Sequence, residues 1–126
     1  MSQLPKPQRM ETEFLVDRII HHIQEKKGEE IVVLDLREVT DITDFFIISS
    51  GTSNTHLKAI ADEIREKIKD EVNVIPWHVE GYEMQKWILI DFVDVVVHIF
   101  TPDTREYYSL ERLWDDARKM KIPTND

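Results

Sequence analysis

Apolar residues return every three or four positions in two stretches of the chain, as they do on one face of a helix. The first stretch runs from about residue 11 to residue 27 and is followed by Gly28, which is typical of a helix C-terminus. The second runs from about residue 52 to residue 71, with Thr52 or Ser53 as the predicted N-cap. Its apolar stripe is the clearest in the sequence and consists of Leu57, Ile60, Ala61, Ile64 and Ile68.

Short runs of β-branched and aromatic residues predict five strands. "EIVVLDL" and "FFIISS" lie between the two helices, and "NVIPWHVEG" predicts a short edge strand because Pro76 has no N–H for a ladder bond. "WILID" and "DVVVHIF" are separated only by Phe92 and Val93, a spacing that predicts a hairpin. "TPDTREYYSLERLWDDARK" predicts a last helix, whose apolar side is formed by Tyr107, Leu110, Leu113 and Trp114.

This order of elements, α-β-β-α-β-β-β-α, predicts an α/β protein in which helices pack on a mixed five-stranded sheet. The length of 126 residues fits one domain, and a composition of 41% apolar and 33% charged residues fits a compact fold. We expect the domain to span residues 11–118, between a flexible N-terminal segment at residues 1–10 and a C-terminal tail at residues 119–126.

The charge and the missing cysteines exclude several classes of function. A net charge of −9 argues against direct nucleic-acid specificity, because lysine and arginine supply most of the affinity for phosphates. The absence of cysteine excludes disulfides, thiolate zinc sites and cysteine nucleophiles. No apolar run approaches the roughly 20 residues that cross a bilayer, and the acidic start is unlike a transit peptide, so we expect a cytoplasmic protein and no membrane association.

The acidic residues and histidines do not form a recognisable catalytic pattern. Two carboxylates that share a metal on a strand belong at positions i and i+2, whereas Asp91 and Asp94 are three apart across the predicted turn. We interpret them as the two ends of the hairpin, where a short polar side chain can accept from nearby amides. His21 and His22 are adjacent on a helix and point about 100° apart, which disfavours joint metal binding. His98 is interpreted as a hydrogen-bonded, partly buried structural residue.

"SSGTSN" leads from a strand into a helix and could hold an anion on free amides, although a turn with an N-cap is the favoured interpretation. Ser53 has no base that would make it a nucleophile. The residues therefore predict no catalytic, metal-binding or cofactor-binding site. Two aromatic residues stand out instead: Trp87 at a strand start and Phe92 at the hairpin tip lie where burial is least assured, and such aromatics often anchor protein interfaces.

Four segments carry a family resemblance: "DLREVTDITDFFIISSGTSNTHLKAIADEI", "HVEG", "WILIDFVDVVVHIF" and "REYYSLERLW". In this order they resemble the ribosomal silencing factor family, also called the Iojap-like proteins, over about residues 12 to 114. One departure is Val93, where the family commonly has glycine before the second hairpin aspartate. The resemblance implies a nucleotidyltransferase-like fold that lacks the catalytic site, and therefore a protein that is not an enzyme.

The resemblance also implies a partner and a mechanism. Family members bind the large ribosomal subunit through large-subunit ribosomal protein fourteen, block joining of the small subunit and so repress translation. Carried over by motif, the implied partner-binding residues are Trp87, Phe92 and Tyr108. Two alternatives stay open: a nucleotidyltransferase-like enzyme with residual nucleotide or metal chemistry near "SSGTSN", and a self-associating scaffold, since family members can form homodimers.

Overall fold

The structure is a computed structural model that describes residues 9 to 122. Residues 1–8 of the predicted N-terminal segment and residues 123–126 of the predicted tail lie outside the described residues. The elements follow in the order α1 (Arg9–Glu25), β1 (Glu29–Asp35), β2 (Phe45–Ser50), α2 (Asn54–Val72), β3 (His78–Glu80), β4 (Trp87–Asp91), β5 (Val95–Phe100), α3 (Pro102–Tyr108), α4 (Leu110–Leu113) and β6 (Arg118–Met120).

The strands form one mixed sheet in the order β3-β4-β5-β2-β1-β6, in which β2 and β5 are parallel and the other neighbours are antiparallel. The mixed α/β class is therefore confirmed, and so are the edge position of β3 and the β4–β5 hairpin. The predicted number of five strands was wrong by one.

The additional strand is β6, which pairs with β1 through Met120 opposite Val33 and Arg118 opposite Asp35. The predicted C-terminal tail thus begins inside the sheet. Only three residues long, with Arg118 and Lys119 exposed, this strand has no apolar alternation that could indicate it in the sequence.

One face of the sheet is covered by the two long helices. Alternate strand residues such as Val95, Val97 and Ile99 form a core with the apolar stripes of α1 and α2. The start of α2 is fixed by Ser53, whose Oγ accepts from the His56 backbone N–H at 3.1 Å, which confirms the predicted cap.

The opposite face has a smaller cover. Its buried cluster joins strand residues to the C-terminal segment and consists of Leu34, Leu36, Ile48, Phe100, Leu110 and Ala117. The predicted last helix is interrupted at Ser109, whose φ of 48° ends α3 before α4 begins. Because this break turns the two short helices relative to one another, the predicted common apolar side does not form: Tyr107 is 81% and Leu113 is 72% exposed.

Candidate docking surface

Trp87 lies at the edge of the less covered face, at the first position of β4. It pairs across the sheet with Phe100 of β5, and the two rings are 4.9 Å apart between centroids. The Tyr108 ring lies 4.6 Å from the indole between centroids, at an angle of 47°. The indole is partly buried, so part of this aromatic stack faces solvent.

Trp87 and Tyr108 line an open depression of about 600 Å³, which we call the Trp87 depression. It is lined by Gly81, Met84, Lys86, Trp87, Asp103, Thr104, Tyr107 and Tyr108. Met84 is 72%, Tyr107 81% and Tyr108 49% exposed, so large apolar side chains surround the depression without cover from the rest of the described chain. Such concentrations of exposed apolar surface mark sites of protein contact.

Gly81 makes the approach of this loop to Trp87 possible. Its φ is +78°, and a Cβ at this position would overlap the Trp87 carbonyl oxygen. Only glycine satisfies both conditions without displacing the backbone that carries the indole.

The structure brings together two of the three implied partner-binding residues. Trp87 and Tyr108 are in ring contact, whereas Phe92 is 6% exposed and packs in the core beneath α1 and α2. The expectation that Phe92 is uncovered at the hairpin tip was wrong. Strand alternation continues past the end of β4, so Phe92 points to the same face as Ile88 and Ile90.

The exposed residue of the hairpin tip is Val93, and sequence reasoning missed the surface to which it belongs. Val93 is 56%, Ile42 78% and Trp77 75% exposed, and with Asp91 and Val96 they line a depression of about 270 Å³, which we call the Trp77 patch. Hydrogen bonds from Trp77 N–H to the Asp91 carbonyl and from Thr43 Oγ to the Val93 carbonyl join its three segments. Such long-range contacts leave no local signal in the sequence.

The Asp91 side chain holds the hairpin turn, and the Asp94 backbone joins the hairpin to the start of β2. Asp91 Oδ1 accepts from the Val93 backbone N–H at 2.7 Å, which confirms the interpretation of Asp91 as a hairpin end. The Asp94 carbonyl accepts from the Asp44 and Phe45 N–H groups. Within residues 9 to 122, no group of three or more histidine or acidic side chains is placed to hold a metal ion.

The "SSGTSN" turn uses its amides internally. The Thr52 N–H donates to His56 Nδ1 at 2.8 Å, and the Gly51 N–H donates to the Phe100 carbonyl at 2.9 Å. His56 Nε2 lies 2.6 Å from the Lys26 carbonyl, which joins the turn to the end of α1. These bonds and the Ser53 cap confirm a turn with an N-cap and leave fewer amides for an anion.

His98 lies behind the indole, in the middle of β5. It is 4% exposed, and its Nδ1 accepts the hydrogen bond from Trp87 Nε1 at 3.1 Å. Burial lowers the pKa of His98 to about 4, so the ring is neutral at neutral pH. The predicted hydrogen bond of His98 is confirmed, with a partner that the sequence did not indicate, and the ring is buried rather than partly buried.

The fold and the Trp87 depression define an α/β domain whose exposed aromatic surface is of the kind that binds proteins. Comparison with known proteins gives the family. The profile of the family "Ribosomal silencing factor during starvation" matches residues 8–126, and the chain belongs to this family. No helix formed by residues 9 to 122 combines the length and the apolarity that a membrane span requires.

Individual relatives agree with this assignment. The chain is 39% identical over 113 residues to the ribosomal silencing factor RsfS of Halalkalibacterium halodurans, covering 90% of this chain and 96% of that protein. It is 41% identical over 93 residues to the ribosomal silencing factor RsfS of Bacillus subtilis, covering 74% and 78%. A crystal structure of a Chromobacterium violaceum protein, 32% identical, superimposes with a TM-score of 0.79 over 90% of this chain and 92% of that chain. Membership in this family implies association with ribosomes and points to a regulator rather than an enzyme.

Proposed function

We propose that the protein represses translation by binding the large ribosomal subunit through large-subunit ribosomal protein fourteen and blocking the small subunit. The observation that carries the proposal is the contact of Trp87 with Tyr108, whose ring centroids are 4.6 Å apart and which both line an open depression. Two residues implied by the family resemblance, distant in sequence, thus meet on one surface with the composition of a protein interface.

The proposed mechanism needs no chemical step. A domain held on the joining face of the large subunit occupies space that the small subunit requires, so the degree of repression follows occupancy. We propose accordingly that the protein has no catalytic activity and acts in the cytoplasm, where bacterial subunits join. Its net charge of −9 disfavours stray contact with ribosomal RNA, so attachment depends on a matched protein surface.

Within the proposed interface, Trp87 and Tyr108 make direct contacts and Phe92 has a supporting role. Phe92 is buried, and its backbone N–H donates to the Val95 carbonyl at 2.8 Å, so it anchors the hairpin tip on the core. The tip presents Val93, which belongs to the Trp77 patch at the end of β4 opposite to Trp87.

Binding of variants to isolated large subunits tests the proposal. Removing an anchoring aromatic from an interface costs about 2–4 kcal/mol, so Trp87→Ala should weaken binding about 30-fold to 1,000-fold. Tyr108→Ala should also weaken binding, and it disturbs the fold less because Tyr108 is 49% exposed. Phe14→Ala is the matched control, since Phe14 is 53% exposed on α1. Unchanged affinity of folded Trp87→Ala and Tyr108→Ala proteins contradicts the proposed surface.

The two alternatives predict different results. Residual nucleotide chemistry predicts that calorimetry detects tight binding of magnesium nucleotide triphosphates, and the internal hydrogen bonds of the "SSGTSN" turn argue against it. A homodimer formed through the Trp87 depression predicts that dimer and ribosomal complex exclude one another. Light scattering with and without large-subunit ribosomal protein fourteen measures this competition.

A further inference from the structure

His98 combines a buried position with incomplete hydrogen bonding. Its ring is 4% exposed and lies among aromatic neighbours, with the Phe46 centroid at 4.6 Å and the Phe100 centroid at 6.2 Å. Its Nε2 is the one buried side-chain nitrogen or oxygen of the described residues that has no hydrogen-bond partner. An unsatisfied buried polar atom lowers stability, and an apolar ring at this position would avoid that cost.

The other ring nitrogen has one partner, the indole of Trp87. An indole N–H can only donate, so the bond of 3.1 Å between Trp87 Nε1 and His98 Nδ1 requires Nδ1 to accept and places the ring hydrogen on Nε2. The same bond therefore makes Nε2 an unsatisfied donor, because the ring hydrogen it carries has no acceptor among the described residues. The neutral ring, maintained by burial, keeps the Nδ1 lone pair available for the indole.

Through this hydrogen bond, the buried His98 ring holds the partly exposed Trp87 indole. Ring contacts leave the Trp87 indole tilted by 31° to Phe100 and by 47° to Tyr108, without a polar feature that selects one orientation. The bond to a β5 side chain in the sheet core selects that orientation. A fixed aromatic side chain loses less conformational entropy when it binds than a mobile one does.

We infer that His98 is a positioning residue of the docking surface, which holds the Trp87 indole in its binding orientation before the partner arrives. The inference rests on the proposed function, because it assigns to His98 a share of the affinity that Trp87 provides. A purely structural histidine would affect binding only to the extent that it affects folding.

Two substitutions separate these roles. His98→Phe removes the acceptor but keeps a planar apolar ring, so it should retain or raise stability. His98→Asn places an amide oxygen near the position of Nδ1 and restores an acceptor for the indole, while its buried NH₂ group lowers stability. The positioning role predicts that affinity follows the acceptor, and the structural role predicts that affinity follows stability.

The experiment measures the Trp87 indole N–H resonance by ¹H–¹⁵N NMR, the free energy of unfolding, and the affinity of the full chain for isolated large subunits. We expect His98→Phe to speed solvent exchange of the indole N–H and to weaken binding about three- to ten-fold. We expect His98→Asn to restore slow exchange and most of the affinity despite lower stability. Slow exchange together with unchanged affinity in His98→Phe overturns the inference. Failure of the unmodified protein to bind contradicts the proposed function itself, a distinct result.

Discussion

Val93 at the tip of the β4–β5 hairpin has a backbone conformation that its side chain disfavours. Its φ is 78°, and it is the one β-branched residue among the six non-glycine residues with positive φ in the described chain. The surrounding hydrogen bonds impose this conformation: the Val93 N–H donates to Asp91 Oδ1 at 2.7 Å, and its carbonyl accepts from Thr43 Oγ at 2.9 Å. Substitution by glycine should therefore relieve strain without removing either bond.

The expected gain is the difference between opposing effects. Relief of strain at such a residue raises the free energy of unfolding by about 1–3 kcal/mol. Glycine increases the conformational entropy of the unfolded chain, which removes about 0.5–1 kcal/mol of that gain. The Val93 side chain is 56% exposed, so its removal exposes little apolar surface that was buried by folding. We predict that Val93→Gly raises the free energy of unfolding by about 1 kcal/mol.

Urea unfolding followed by circular dichroism measures this change. With a slope of about 1–3 kcal/mol/M for a domain of this size, the midpoint should rise by roughly 0.5 M while the slope stays constant. Val93→Ala is the control, because alanine keeps a Cβ in the left-handed region and should gain much less than glycine. A Val93→Gly midpoint at or below that of the unmodified protein, with an equal slope, refutes the assignment of strain.

Two further perturbations test the surroundings of Trp87. His98 has a folded pKa of about 4 against an ordinary value of 6.5, so between these values the unfolded chain binds a proton that the folded protein does not. The free energy of unfolding therefore decreases as the pH falls through this window. We expect urea titrations to give a decrease of about 2 kcal/mol from pH 7 to pH 4.5 that is absent in His98→Phe. Equal decreases in both proteins would show that His98 is not the group responsible. Gly81→Ala should lower the free energy of unfolding by about 2 kcal/mol or more, because its Cβ meets the Trp87 carbonyl, and unchanged stability would contradict the tight approach of that loop.

The central strands and their two faces could be predicted because burial follows local alternation. Val95, Val97 and Ile99 face α1 and α2, as the period of two requires. The same alternation, continued one residue beyond β4, places Phe92 on the core face with Ile88 and Ile90. The expected exposure of Phe92 rested on its position at a turn, and this alternation outweighs that position. The two long helices were predictable for a similar reason, since each buries a continuous stripe.

Other features depend on contacts between distant segments. Strand β6 exists because Met120 pairs with Val33, and its own residues carry no strand pattern. The break at Ser109 divides into two short helices a stretch whose periodicity predicts one helix. Tyr108 contacts Trp87 only in the folded chain, so it was implied by the family resemblance alone, whereas Trp87 was also indicated by its position at a strand start. The depression itself could be described only in the fold.

Dependence on contacts between distant segments also explains why the hydrogen-bond partner of His98 could not be predicted. Its place on β5 predicts burial, but the bond to the Trp87 indole requires the pairing of β4 with β5 in their actual register, with Leu89 opposite His98 and Trp87 opposite Phe100. A shift of one residue would turn the two side chains to opposite faces.

Sedimentation in a sucrose gradient measures whether the protein blocks the joining of the two ribosomal subunits. Large subunits are first saturated with the protein, small subunits are then added, and the fraction of joined ribosomes is compared with that obtained using Trp87→Ala. We predict that separate subunits persist with the unmodified protein and that joining recovers with the variant at the same concentration. Joined ribosomes formed to the same extent with and without saturating protein would contradict this prediction.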